Sequence, residues 1–288
     1  MLFTLSSTFD EIISYPSFAP FGRLIFPVQR EYLFGNNLND MQIHFYNHID
    51  PNDSLDVVNY MKYTVDSGKT LFYDIYTDEE KALDPEKRDT GLFFFKGEPG
   101  KPFSVTCAGG GFQFVGAIHG SFPLSLELAN MGYNTFALIY RPDAQKSCED
   151  LAKAIEFIFD HAEELEVDTT GYSIWGESAG ARMAAFIGSY GTESFGCRTL
   201  PRPSAVIMQY TGHREFTKDD PPTYFNAGRQ DIWRLDLAME ARYQDMKAAG
   251  IPVEIKIYES LPHGYALGRG TEAEGWHKEA VAFWEAYR

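Results

Sequence analysis

The chain has 288 residues, which suits one large α/β domain or two small ones. It is 44% hydrophobic and 15% aromatic, enough for a sizeable core and too much for a disordered chain. The 25 basic and 41 acidic residues give a formal net charge of −16, a field that repels nucleic acid and anionic membranes and more readily admits a neutral or cationic small substrate.

Residues 1–69 read as an irregular, aromatic and loop-rich segment, with Pro16, Pro20, Pro27 and Pro51 and one helix around 55–65. The first residues lack a basic stretch and soon turn acidic, so no secretory signal is expected. No apolar run approaches the roughly 18–20 residues of a membrane span. The expectation is a cytoplasmic, soluble protein.

From Thr70 the pattern becomes regular. The run 70–76 (TLFYDIY) alternates and reads as a strand, with 91–96 (GLFFFK) as its hairpin partner across an acidic loop. Short β-rich runs then follow at 103–107, 135–140, 172–175, 205–210, 223–227 and 253–258. Helix-period stretches lie at 147–165, 178–188, 235–249 and 272–287. This alternation predicts a mostly parallel sheet wrapped by helices on both faces, mixed at one edge. Ligands in such sheets sit at the carboxyl ends of the strands, so chemistry is sought in the loops that follow them.

After the strand GYSIW comes Gly176-Glu177-Ser178-Ala179-Gly180 and then a helix pattern. This G-x-S-x-G sits in strand–turn–helix context, where a tight turn needs small neighbours and presents the serine at a helix N-terminus. Glu177 fills the variable position and reads as a polar residue outside the chemistry. After the strand FSVTC, Ala108-Gly109-Gly110-Gly111-Phe112 exposes backbone amides that suit an oxyanion hole. A phosphate cradle is the rival reading, but no P-loop or dinucleotide fingerprint follows.

A serine nucleophile needs a base, and His263 follows the last strand; His213 and His119 stand in reserve. Asp231, after the strand TYFNA, is the first candidate to orient the base. Asp236 reads as a solvated helix residue, and Asp219 and Asp220 are third choices. Phe112, His119, Tyr210 and His213 are candidate substrate contacts. His44 and His48 stand at i, i+4 without a third ligand nearby, and Cys107, Cys148 and Cys197 fit neither a disulfide framework nor a metal motif. No metal site is expected.

The order Ser178, Asp231, His263 with an upstream glycine cluster resembles the α/β-hydrolase superfamily. It is most similar to the esterase branch of hormone-sensitive-lipase-like and acetyl (acetylxylan) esterases. That branch carries H-G-G-G and Y-R, which match Ala108–Gly111 and Tyr140-Arg141, and G-[DE]-S-A-G, which matches 176–180. Ala108 departs from the family histidine, and Pro142-Asp143-Ala144 departs from L-A-P-E.

The resemblance covers 70–288 and implies an α/β-hydrolase fold, with a mostly parallel central sheet of about eight strands. It implies a catalytic domain over 70–288 and an extension over 1–69 able to cap the site. The amides of Gly110, Gly111 and Ala179 would then be the oxyanion donors. The implied activity is a serine carboxylesterase, acting through an acyl-enzyme on short-chain, acetyl-like esters and deacetylating carbohydrates. No cofactor is implied, the partner is a small-molecule ester, and a homo-oligomer is compatible with the sequence. The alternatives are an amide-cleaving relative, arylformamidase or peptidase-like, and a non-catalytic ligand-binding hydrolase fold. Receptors of the last kind typically lack a triad member, and here all three residue types are present.

Overall fold

The computed structural model describes residues 2–48 and 50–288. In chain order it forms α1 (Phe9–Ile13), β1 (Leu33–Phe34), β2 (Gln42–Ile43), α2 (Pro51–Asp66), β3 (Phe72–Tyr73), α3 (Asp78–Leu83), β4 (Gly91–Phe95) and β5 (Pro102–Cys107). There follow α4 (Ser121–Asn130), β6 (Asn134–Ile139), α5 (Ala144–Asp160), α6 (Ala162–Leu165), β7 (Asp168–Glu177), α7 (Ala179–Tyr190) and β8 (Ala205–Gln209). The chain closes with β9 (Thr223–Gly228), α8 (Leu235–Ala248), β10 (Val253–Tyr258) and α9 (Trp276–Tyr287).

Eight strands form one sheet in the order β10-β9-β8-β7-β5-β6-β4-β3. β4 runs antiparallel to both β3 and β6, and the other pairs are parallel. Alternate side chains divide the core, as the two-residue period of a strand requires. Trp175, Ile207 and Tyr224 pack with Leu124 and Leu128 of α4 and with Trp276 and Trp284 of α9. Their neighbours Ile174, Val206, Met208 and Phe225 face the cluster that takes in α5, α7 and α8. Helices therefore cover both faces, and no helix among the described residues is long and apolar enough to cross a membrane.

Three details differ from the sequence reading. The strand expected over 70–76 pairs over only Phe72–Tyr73, and the acidic loop after it holds α3 and a 3₁₀ turn, Pro85–Asp89. Thr77 starts α3 with a reciprocal capping box to Glu80, a signal present in the sequence and overshadowed by its charge. α4 has no counterpart in the periodicity reading, because its buried positions include Ser121 and Ser125 beside the apolar residues, which blurs the polar face. The departure at 142–144 also has a local explanation. The Asp143 side chain accepts the amides of Gln145 and Lys146, both at 2.9 Å, and so caps α5.

The first 69 residues share the main core. Ile12, Phe18, Phe21, Leu24, Ile25 and Phe26 are buried in the same cluster as β4, and the Phe21 ring meets Phe93 edge-on at 5.3 Å. Near the site, the loop after β8 is pinned by a buried ion pair. Arg242 Nη2 on α8 donates to Asp220 Oδ2 at 2.9 Å, and Asp220 Oδ1 accepts the amide of Thr217 at 2.8 Å. Replacing Asp220 by Ala strands a buried guanidinium. The expected loss is about 3–5 kcal/mol, read as a lower urea midpoint with an unchanged slope.

Candidate active site

Ser178 lies between β7 and α7 with φ 51° and ψ −111°, a backbone region that side-chain-bearing residues avoid. The sharp bend leaves room only for glycine on either side. A Cβ on Gly176 would stand 2.2 Å from the carbonyl oxygen of Gly180, and one on Gly180 would stand 2.1 Å from that of Cys107. The Ser178 amide donates to the Gln209 carbonyl at 2.9 Å, tying the elbow to β8.

His263 follows β10 and Asp231 follows β9, so parallel neighbouring strands deliver both to the same edge of the sheet. His263 Nε2 is 3.1 Å from Ser178 Oγ, and Nδ1 is 2.7 Å from Asp231 Oδ2. The other Asp231 oxygen accepts the Trp233 amide at 2.9 Å. The imidazole is buried and sits edge-on between Tyr210 and Trp233, each with ring centroids 4.8 Å away. Asp236, expected to be solvated, is instead fully buried and bonded to Arg229 at 2.7 Å. Asp220 is occupied by Arg242, which leaves Asp231 as the acid that reaches the histidine.

The glycine loop lies against the serine. A Cβ on Gly109 would come within 3.2 Å of Ser178 Cβ. Gly110 and Gly111 have φ of 140° and 62°, and a Cβ on Gly110 would collide with the Phe114 carbonyl at 2.0 Å. Among the described residues, none accepts a hydrogen bond from the amides of Gly110, Gly111 or Ala179. Unused donors beside a half-buried hydroxyl are what a developing oxyanion requires.

The candidate substrate contacts divide. Phe112 and His213 line a cavity of about 400 Å³ that opens on Ser178. Burial, with Arg242 and Arg182 close by, pushes His213 down to about 4. Tyr210 is a correction: it is buried, its ring backs His263, and its hydroxyl donates to Glu177 Oε2 at 3.0 Å. His119 is another, being sealed beneath α2 with Nδ1 3.1 Å from Ser54 Oγ and its value pushed down to about 3 by burial. His48 Nε2 meets the Arg269 carbonyl at 2.7 Å, and His44 lies beside the ring of Phe45. Cys107 and Cys148 are buried thiols and Cys197 is half-buried.

Three residues at the site, Tyr46, Trp233 and Arg182, have no reading in the sequence analysis, and Glu177 reads there only as a polar residue outside the chemistry. Glu177 is fully buried behind the elbow, where Oε2 accepts both the Tyr210 hydroxyl and the Tyr46 hydroxyl, the latter at 3.1 Å. Desolvation, eased by these two phenols, pushes its carboxyl up to about 7. Tyr46 also accepts the Gly109 amide at 3.2 Å, so the N-terminal segment holds the glycine loop directly. Nothing local in the sequence marks a contact spanning 131 residues. Trp233 and Arg182 did carry a signal, standing two residues past Asp231 and one helical turn past Ser178.

The BD-FAE family model matches residues 96–209, the stretch from just after β4 to the end of β8 that holds the glycine loop and the elbow. No curated protein matches the sequence. Solved structures do. An acetyl ester-xyloside bifunctional hydrolase from Caldicellulosiruptor lactoaceticus is 18% identical with a TM-score of 0.66, over 75% of this chain and 95% of that one. An esterase from the Planctomycetes species Thermogutta terrifontis, with propionate bound, is 20% identical with a TM-score of 0.62, over 73% and 91%. The α/β hydrolase MGS-M1, from a Medee basin deep-sea metagenome library, is 20% identical with a TM-score of 0.58, over 69% and 92%. With the strand order and the elbow, these matches agree on one architecture, and the chain has the α/β-hydrolase fold.

Proposed function

We propose that the protein is a serine carboxylesterase, and the observation that carries this is the relay of Ser178, His263 and Asp231 at 3.1 Å and 2.7 Å beside three unused amides. His263 takes the Ser178 proton as the hydroxyl attacks an ester carbonyl, and Asp231 holds the tautomer and steadies the imidazolium. The amides of Gly110, Gly111 and Ala179 receive the oxyanion. His263 then protonates the leaving alcohol, and a water activated by the same ring releases the acid from the acyl-enzyme.

Ser178→Ala should lower kcat by about 10⁴-fold or more and abolish labelling by a fluorophosphonate probe. Asp231→Asn should cost about 10³–10⁴ in kcat through the wrong tautomer, with the fold retained. Probe labelling of Ser178→Ala at the wild-type rate would overturn the assignment.

For the acyl group we infer acetyl to butyryl chains. The cavity at Ser178 is walled by Phe112 and Leu235 and rimmed by Arg182 and Arg214, so a long apolar tail would lie against charged groups. The acetyl ester and propionate-bound neighbours accord with this. For the alcohol, a second depression of about 660 Å³ beyond His263 is lined by Phe34, His44, Phe45, Asn47, Ile232 and Trp233. Trp233 is 47% exposed, a ring and amide surface suited to a sugar. The segment 1–69 supplies one wall. Asn47 Nδ2 donates to the His263 carbonyl at 2.9 Å and the Asn47 amide to Gly264 at 3.1 Å, which favours a fixed cap over a swinging lid. Across nitrophenyl acetate, butyrate, octanoate and palmitate, kcat/KM should peak at butyrate or shorter. Acetylated xylo-oligosaccharides should release acetate, with KM raised about tenfold by Trp233→Ala. A maximum at octanoate or beyond refutes the short-acyl reading, and no acetate release refutes the carbohydrate one.

Glu177 belongs to this reading as the acid behind the elbow. Its native value is raised above the unfolded one, so the folded state binds more protons between about pH 4.5 and pH 7. Stability from this group is therefore present at low pH and declines as pH rises through that window. In Glu177→Gln the decline disappears. The Tm of the wild type minus that of the variant should fall between about pH 5 and pH 7 and level off above that, and a constant difference would show an ordinary, charged carboxylate.

A further inference from the structure

We propose that the substrate carries a carboxylate, held at the rim of the Ser178 cavity by Arg182 with Arg214 beside it. This rests on the esterase reading and deepens it. Arg182 is the fourth residue of α7, one turn beyond Ser178, and its amide donates to the Ser178 carbonyl at 3.3 Å. Its guanidinium lies 5.4 Å from the centroid of the Phe186 ring, which in turn packs 4.7 Å from His213. Arg182 and His213 both line the cavity, and Phe186 packs against each of them.

Arg182 stands where ordinary stability would not put it. The positive end of the helix dipole disfavours a cation in the first turn by roughly 0.3–1 kcal/mol, absent a compensating partner. Among the described residues no carboxylate lies within ion-pair distance of Arg182, although the chain carries 41 acids. Arg198, Arg202 and Arg214 each have one. Arg214, on the same cavity, has Asp245 at 3.1 Å on an exposed surface, a pair that an incoming anion can share.

Other charges face the same space. Glu215 lines the cavity as its one carboxylate, against two guanidiniums and the N-terminus of α7. Burial first, and then Arg242 and Arg182, depress His213, and among the described residues its buried Nε2 has no hydrogen-bond partner. A local positive mouth in a chain of net charge −16 selects for an anion that can reach it, and a guanidinium fork matches a carboxylate in geometry as well as charge.

The carboxylate can enter on the acyl or the alcohol side, and matched pairs separate the two. Methyl butyrate and monomethyl succinate differ only in a terminal methyl exchanged for a carboxylate; acetoxyacetamide and acetoxyacetate make the same comparison on the alcohol. Turnover is followed by pH-stat with the full chain. In one of the pairs, Arg182→Gln should lower kcat/KM for the anionic member at least about tenfold more than for the neutral member. Raising ionic strength on the wild type should erode the same preference. Equal proportional effects on both members of both pairs, or an anionic preference indifferent to salt, overturn the proposal. If no ester is turned over, the esterase reading itself has failed. Calorimetric titration with monomethyl succinate then decides this one, with binding to the wild type that Arg182→Gln loses as the expected result and no binding to the wild type as the overturning one.

Discussion

At Ser178 the backbone turns through φ 51° and ψ −111° between the end of β7 and the start of α7, and packing on every side holds it there. The elbow is pressed against the end of β5 through Gly180 and against the end of β8 through the Ser178 amide. A strained backbone persists only where its surroundings over-determine it. Here the determining contacts come from three adjacent parallel strands, which makes the sheet order a condition of the site. The same tight approach brings Gly109 beside the serine. Geometry around one residue thus fixes where the hydroxyl, the histidine and the glycine loop meet.

The N-terminal segment completes what the sheet begins. Tyr46 joins the glycine loop to Glu177 through one hydroxyl, accepting from the Gly109 amide and donating to the carboxylate. Glu177 in turn receives Tyr210, whose ring lies against His263. A single buried carboxyl therefore couples the loop on one side of Ser178 to the imidazole on the other. Asn47 adds a second tie, to the carbonyl of His263 itself. Hydrogen bonds of this kind gain from low local dielectric when every member has a partner, and they hold the groups they join in one arrangement.

Legibility in the sequence followed the range of the interaction. The strands from β5 to β10 and the helices α5, α7, α8 and α9 were readable because a buried strand or an amphipathic helix writes its own period. The elbow was readable because the steric demand falls close by in sequence, on Gly176 and Gly180 two positions either side of the serine. α4 was not, since buried serines interrupt its apolar period, and the 3₁₀ turns of the first 69 residues have none to show. The bond between Tyr46 and Glu177 could be named only once folding had brought them together. Of the two histidine contacts, His119 fails for a related reason. Position after a strand puts a residue near the right edge of the sheet, but packing decides whether it faces the cavity, as His213 does, or is sealed beneath a helix, as His119 is.

Charge shows the same division between what composition states and what the fold does with it. Five acids are buried: Asp150, Glu177, Asp220, Asp231 and Asp236. Burying a carboxylate is costly unless a partner offsets it, and for three of them the partner is an arginine. Arg141 meets Asp150 at 2.7 Å, Arg242 meets Asp220 at 2.9 Å, and Arg229 meets Asp236 at 2.7 Å. The two without an arginine are Asp231, bonded to an imidazole, and Glu177, bonded to two phenols. Structural acids in this chain are thus neutralised by groups that stay charged at every relevant pH, and the acids at the site are not. A guanidinium beside Asp231 would compete for the oxygen that orients His263 and would oppose the imidazolium that proton transfer creates. One beside Glu177 would fix a charge behind the elbow that two tyrosines leave free to titrate. Arg182, one turn beyond the serine, is by contrast exposed on the cavity, and among the described residues no carboxylate lies within ion-pair distance of it.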